Sequence, residues 1–159
     1  PEDSENHESP FAEGFKIIVS QRIPSGGQRI SALIREQILN SQTYDAYREI
    51  LEKMSLVEKE FFGNAENALF NWNEDFIAEQ FRTKGFTVKT AVKICREKRK
   101  ITSQEVSRWF DSENSVYGNK ISSVLGSNEI EKIILLLNSA GKNSIFNWQS
   151  KIAFFEISL

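Results

Sequence analysis

Cysteine and histidine are almost missing from this chain of 159 residues, which has one of each, Cys95 and His7. A single cysteine cannot close an internal disulfide, and the two residues together cannot supply a Cys/His zinc site. His7 lies in a polar N-terminal stretch, so neither a Cys–His pair nor a Ser-His-Asp triad can form in a core without help from that stretch. These two counts exclude many nucleophilic and zinc-dependent enzymes.

Long apolar runs are also missing. The longest, Ile133 to Leu137, is far shorter than the roughly 20 residues of a membrane span. The first ten residues are acidic and polar, unlike a signal peptide, and the chain has no Asn-x-Ser/Thr sequon. We therefore predict a cytoplasmic protein without membrane contact. Because the sequence does not begin with Met, we interpret it as a piece of a larger protein.

The composition is that of an ordinary globular domain, with 40% hydrophobic, 11% aromatic and 26% charged residues. The 20 basic and 22 acidic residues give a net charge of -2, which predicts no strong overall attraction to nucleic acid or to an anionic membrane. Residues 1–13 lack periodicity and are predicted to be a flexible linker or tail. Residues 14–159 are predicted to form a single α/β domain.

Three segments have strand patterns. Phe15–Gln21 contains three consecutive β-branched residues, which predicts a strand buried on both faces, as in a parallel sheet. In Phe86–Ile94, a mainly apolar set alternates with a mainly polar one, which predicts one face on a core and one towards solvent. The first set is Phe86, Val88, Thr90, Val92 and Ile94, and the second is Thr87, Lys89, Ala91 and Lys93. Lys151–Leu159 is predicted to be a final, mostly buried strand.

Between these strands, apolar residues recur at the spacing of an α-helix. Helices are predicted from Gln28 to Asn40, from an N-cap at Thr43 to Gly63, after the N-cap Asn73, after the capping box Thr102–Glu105, around Val116–Leu125, and from Ser127 to Gly141. The order of strands and helices favours an α/β fold. Three strands are few for this length, so we expect further strands in the parent protein or self-association through sheet edges.

Several short sequence motifs, and the order in which they occur, resemble those of a known family. They are Gln28-Arg29-Ile30 with Leu33, Asn71–Glu74, Gly85–Val88, Ile101-Thr102 with Arg108–Phe110, Tyr117-Gly118 and Trp148–Ser150. They are similar to the C-terminal region of a bacterial fusion protein. Its front half is a replication-associated recombination AAA ATPase of the RarA/MgsA type, and its tail is a methyltransferase-like domain.

The resemblance implies a partial class I methyltransferase-like, that is Rossmann-like, sheet. Gly14–Pro24, followed by Gln28-Arg29-Ile30, resembles the fifth strand of that fold. Gly85–Val88 and Lys151–Leu159 would be the sixth strand and an antiparallel seventh strand inserted beside the fifth. The helices around Trp109 and Leu135 would be insertions.

The chain lacks two motifs that the parent's activities would need. It has no Gly-x-Gly-x-Gly turn after a strand, and no Gly-x-x-x-x-Gly-Lys-Ser/Thr loop. We therefore expect no cofactor in this chain, with S-adenosylmethionine or ATP bound only if upstream regions of the parent supply the site. The upstream ATPase region is the expected partner.

Two groups of residues are candidate binding sites. The first group lies at or after the C-terminal end of the first strand, where ligands sit in open α/β sheets. It comprises Ser20, Gln21, Arg22 and Arg29. The alternative is that the two arginines pair with acids. A basic run could contact phosphate or DNA weakly, or could simply protect a sheet edge; it comprises Lys89, Lys93, Arg96, Lys98, Arg99 and Lys100.

Other residues fit structural roles better than chemical ones. The three tryptophans could stack on bases, but rings of this size more often fill cores. Glu74 and Asp75 occupy a first helical turn, where the helix dipole favours negative charge without any catalytic role. No catalytic or metal-ligating residue is therefore assigned.

Three functions remain open. The chain could be a non-catalytic scaffold attached to a DNA replication or recombination ATPase. It could complete a working methyltransferase whose cofactor half lies upstream. It could also be a DNA- or protein-interaction module, in which case DNA binding would depend on salt.

Overall fold

The computed structural model of the chain describes residues 14–63, 70 and 72–159. Two parts of the sequence analysis lie outside these described residues. They are the predicted linker at 1–13, which includes His7, and Asn71 of the family motifs. The elements in chain order are β1 (Lys16–Arg22), a 3-10 turn (Pro24–Gly26), α1 (Ile30–Gln37), α2 (Ser41–Gly63), α3 (Glu74–Arg82), β2 (Thr87–Arg99), α4 (Ser103–Trp109), α5 (Val116–Ser122), α6 (Ser127–Asn143) and β3 (Phe146–Ser158). No helix in the described part is long and apolar enough to cross a bilayer.

The three strands form one sheet in the order β1-β3-β2. β3 runs antiparallel to both neighbours, so β1 and β2 point in the same direction. The prediction that the three segments are neighbours in a single sheet is confirmed, as is the mixture of helices and strands. The sheet is nevertheless small and every paired ladder in it is antiparallel.

The predicted environment of β1 is wrong. Ile18 is 75% exposed, and within the described residues β1 pairs on one side only, with β3. Ile17 and Val19, on the opposite face, are half-buried. A run of β-branched residues indicates a strand, but it cannot distinguish a central strand with two covered faces from an edge strand with one.

Two separate hydrophobic cores cover the two ends of β3. We call the larger one the helical core. It joins α1, α2, α4, α5 and α6 to Phe146 at the start of β3, with Trp148 packed against it. Phe146, Trp148 and Ser150 alternate along the strand and therefore point to the same face.

The smaller core, which we call the sheet core, lies on the opposite face of the other end of β3. Ala153, Phe155 and Ile157 point into it together with Val88 of β2 and Ala78 of α3. Each end of the sheet is thus covered by helices on one face only, and the covered face changes between the two ends.

β2 confirms the predicted alternation, but its burial differs from the prediction. Val88 is buried in the sheet core, whereas Val92 and Ile94 on the same face are 44% and 45% exposed. The strand also continues to Arg99, because the ladder with β3 extends to the pair Arg99–Phe146. α3 is too short to cover the whole apolar face of β2.

The helix caps largely follow the sequence. The Asn73 side chain accepts the Phe76 N–H, and Thr102 and Glu105 form the predicted capping box. The predicted N-cap at Thr43 is wrong, because the Asn40 side chain accepts the N–H groups of Gln42 and Thr43 instead. Asparagine caps as well as threonine does, so spacing alone could not choose between them.

The sequence predicts that the last helix ends at Gly141, but α6 continues to Asn143. A Cβ at Gly141 would lie 2.5 Å from the Ile101 carbonyl oxygen, so the glycine permits close approach of two backbones. We expect Gly141→Ala to lower the free energy of unfolding by about 1–3 kcal/mol, as overpacking does. Urea denaturation followed by circular dichroism measures the change.

Gly63→Ala is the matched control for this prediction. Gly63 is also helical, and a Cβ there would meet no atom within 4 Å. Because alanine is the better helix former, this variant should be neutral or more stable by up to about 1 kcal/mol. Equal effects at the two glycines would show that the approach to Ile101 does not constrain α6.

Candidate functional site

A buried carboxylate, that of Glu58 on α2, lies against the N-terminus of α1. It is 2% exposed. Its Oε1 accepts the Ile30 N–H at 2.8 Å and the Ser31 N–H at 3.3 Å, and its Oε2 accepts the Ser31 hydroxyl. The N-cap residue of α1, Arg29, makes no side-chain cap, so Glu58 supplies the acceptor from another helix.

Tyr117 on α5 completes this cluster. Its hydroxyl donates to Glu58 Oε1 at 2.8 Å, so the carboxylate connects α1, α2 and α5. Burial, reinforced by the negative charge of Glu58, raises the pKa of Tyr117 well above its usual value. The phenol therefore remains a protonated donor at neutral pH.

Arg29 lies beside the same cluster. Its guanidinium donates to the carbonyl oxygens of Gly27 at 3.0 Å and Ser25 at 2.8 Å, and it stacks 3.7 Å from the centre of the Phe62 ring. Burial lowers the pKa of Arg29, while the charge of Glu58 opposes that shift. Arg29 thus fixes the turn that precedes α1.

A small, open aromatic pocket of about 180 Å³ lies next to Glu58 and Tyr117. Its other aromatic lining residues are Phe61, Phe62, Phe70, Trp109 and Trp148. Trp109 and Trp148 stack with their centroids 5.8 Å apart. The pocket could hold a small flat or apolar group, because its walls are mainly rings.

The chemistry of Glu58 is limited by its contacts. A carboxylate offers about four acceptor positions, and Glu58 receives four donated hydrogen bonds. Three of these bonds end on Oε1 and one on Oε2, and all four come from α1 and α5, so they hold the carboxylate between the helices. The arrangement supports a structural role, and the pocket is a recess beside it.

The structure does not bring the four residues of the predicted strand-end pocket together. Cross-strand pairing places Gln21 opposite Ala153 on the face of the sheet core, whereas Ser20 and Arg22 are on the other face. Arg29 lies beside the Glu58 cluster and donates to the turn before α1. Alternation along β1 is the physical reason, since neighbouring strand residues point in opposite directions.

The basic run is distributed over both faces of β2. Lys89 and Lys93 share one face, as predicted, whereas Arg96 and Lys98 point to the other. Arg99 forms an ion pair with Glu105 and lies 4.4 Å from the centre of the Trp148 ring. Lys100 is exposed after the end of the strand. The run is therefore not one continuous patch.

The remaining candidates have structural contacts. Glu74 forms an ion pair with Lys151 of β3 at 2.6 Å, and the lysine holds the pKa of Glu74 below its usual value. Cys95 is half-buried on β2. Trp109 and Trp148 pack against the helical core, and Trp72 packs against the sheet core. No cluster of three or more potential metal ligands occurs within 14–63, 70 and 72–159.

Sequence reasoning missed the Glu58 cluster, although one signal for it exists. Glu58 follows Leu51 and Met54 at helical spacing, so it lies on the apolar stripe of α2 and had to be buried. Its partners could not be predicted, because Tyr117 is 59 residues away. Charged residues on a buried stripe are a useful general indicator of such clusters.

Comparison with protein-family models, with curated proteins and with solved structures gives no significant match in any of the three.

Proposed function

We propose that the chain is a non-catalytic interaction module, the end of a methyltransferase-like domain attached to an AAA ATPase that acts in DNA replication, recombination or repair. One observation carries this proposal. β3 lies antiparallel beside β1, which is where the family resemblance expects an inserted last strand. The parallel direction of β1 and β2 on either side of β3 supports the same comparison.

The Glu58 cluster supports the non-catalytic part of the proposal. The most buried carboxylate of the helical core is engaged by the N-terminus of α1 and by Tyr117, so it serves helix packing. The competing enzyme hypothesis requires an upstream half that supplies the cofactor site. In that case this chain would contribute the edge of a catalytic domain.

Two binding measurements on the full chain test the proposal. Isothermal titration with S-adenosylmethionine should give no saturable heat, because the chain has no glycine-rich turn to hold the cofactor. Sedimentation velocity of the chain mixed with a purified RarA-type ATPase should show a complex that sediments faster than either protein alone.

Each of the two measurements tests a different part of the proposal. Saturable binding of S-adenosylmethionine would contradict the non-catalytic assignment. Two unchanged sedimenting species in the mixture, at concentrations well above those expected in a cell, would contradict the partnership with the ATPase.

A further inference from the structure

At one end of the sheet, one face is not covered by any element in the described part of the chain. At the end of the sheet opposite the helical core, α3 packs on the other face, through Ala78 and Phe155. The uncovered side, which we call the open face, presents side chains from all three strands. They are Lys16, Ile18, Ser20 and Arg22 of β1, Ile152, Phe154 and Glu156 of β3, and Lys89, Ala91 and Lys93 of β2.

An exposed aromatic ring lies at the centre of the open face. Phe154, on the middle strand, is 38% exposed. Its cross-strand partners are Ser20 on one side and Ala91 on the other. Because both partners are small, the ring is accessible from above and can offer its face to a flat group.

The open face is strongly basic, although the whole chain carries a net charge of -2. It has four basic side chains and a single acidic one, Glu156. Glu156 Oε1 accepts from Lys16 at 3.2 Å and from Lys89 at 3.3 Å, so one carboxylate is shared by two cations. Arg22 and Lys93 are exposed and have no side-chain partner among the described residues.

The strand geometry places Arg22 and Lys93 on one side of the ring along the strands and Lys89 on the other. Arg22 and Lys93 flank Ile152, so their backbones are about 10 Å apart across β3 and about 7 Å along the strands from the row of Phe154. Lys89 lies at a similar distance on the other side of that row. A single strand laid along β3 would therefore meet the row of Arg22 and Lys93 first, then the ring, and then Glu156 with its two lysines.

We propose that the open face binds single-stranded DNA, with Phe154 stacking on a base and with Arg22 and Lys93 contacting phosphates. Charge complementarity favours a polyanion, and accessible rings between cations are how sequence-tolerant sites hold single strands. A duplex keeps its bases stacked inside, where Phe154 cannot reach them. The choice of DNA over RNA rests on the proposed function, whereas the binding surface itself does not need the ATPase.

Fluorescence anisotropy tests whether the Phe154 ring contributes to binding. The probe is a labelled oligothymidylate of about 16 nucleotides, the upper end of single-strand site sizes. Phe154→Leu keeps an apolar side chain but removes the ring, and should weaken binding about tenfold. Phe76→Leu makes the same change at a 56% exposed phenylalanine on α3 and should leave affinity unchanged. Circular dichroism confirms that both variants are folded.

The salt dependence of the same binding tests the cations. Each phosphate contact to a single strand contributes about 0.7 to the slope of log affinity against log salt, so Arg22→Gln with Lys93→Gln should reduce the slope by about 1.4. Arg35→Gln with Lys59→Gln removes two exposed charges from α1 and α2 and should leave it unchanged.

Several outcomes would overturn the inference. They are no binding at low salt, equal affinity of Phe154→Leu and the unaltered chain, or equal affinity for a duplex. Tighter binding to oligouridylate would overturn the assignment to DNA. A dimer in sedimentation velocity that Phe154→Leu dissociates and the oligonucleotide does not would assign the open face to a second copy of the chain. Failure here together with a complex with the ATPase would leave the proposed function intact.

Discussion

Replacement of Glu58 by alanine is expected to lower the free energy of unfolding by about 3–5 kcal/mol, because several buried donors lose the one acceptor that they share. The substitution leaves the Ile30 and Ser31 N–H groups and the Tyr117 hydroxyl without their acceptor. Each buried donor left unsatisfied costs about 1–3 kcal/mol. Urea denaturation at pH 7, followed by circular dichroism, measures the loss.

Glu60→Ala is the matched control, two residues away on the same helix. Glu60 is exposed and pairs with Lys120, so its loss should change stability by less than about 1 kcal/mol. Glu58→Gln separates the acceptor role from the charge, because the amide oxygen can still accept from α1. If Glu58→Ala were no more damaging than Glu60→Ala, Glu58 would not connect the three helices.

Replacement of Phe155 by alanine is expected to have a similar effect, about 3–5 kcal/mol, for a different reason. Phe155 is fully buried in the sheet core, between the strands and α3. Removing its ring leaves a cavity that the short helix and the hydrogen-bonded strands can only partly fill. The same denaturation experiment detects this change.

The neighbouring residue provides the control for this prediction. Phe154→Ala removes the same ring from the next position of β3, but on the open face, where the side chain is already 38% exposed. Its loss should cost about 1 kcal/mol or less. A similar cost at both positions would mean that the two faces of β3 are equally buried, which would contradict the open face.

Local patterns in the sequence predict most of the elements. The alternation of Phe86–Ile94 and the capping box at Thr102 lead to correct assignments, because each reports on a few adjacent residues. The environment of β1 could not be predicted, since burial depends on which elements pack against it and not on its own β-branched residues. The position of Gly141 inside α6 could not be predicted either, because it depends on the close approach of Ile101, which is 40 positions earlier in the chain.

For the candidate sites too, features set by adjacent residues could be predicted and features set by distant residues could not. Lys89 and Lys93 share a face, as strand periodicity requires. The combination of Arg22 with Lys93 and Phe154 could not be predicted, because these residues come from three strands that are far apart in sequence.

The position of β3 affects how the chain folds during synthesis. β3 is the middle strand of the sheet but the last of the three to leave the ribosome, and its contact with β1 spans 140 residues, from Lys16 to Glu156. β1 and β2 therefore lack this shared partner until β3 has emerged. Such distant pairing slows folding, and it leaves the edges of β1 and β2 open to intermolecular pairing until β3 is in place.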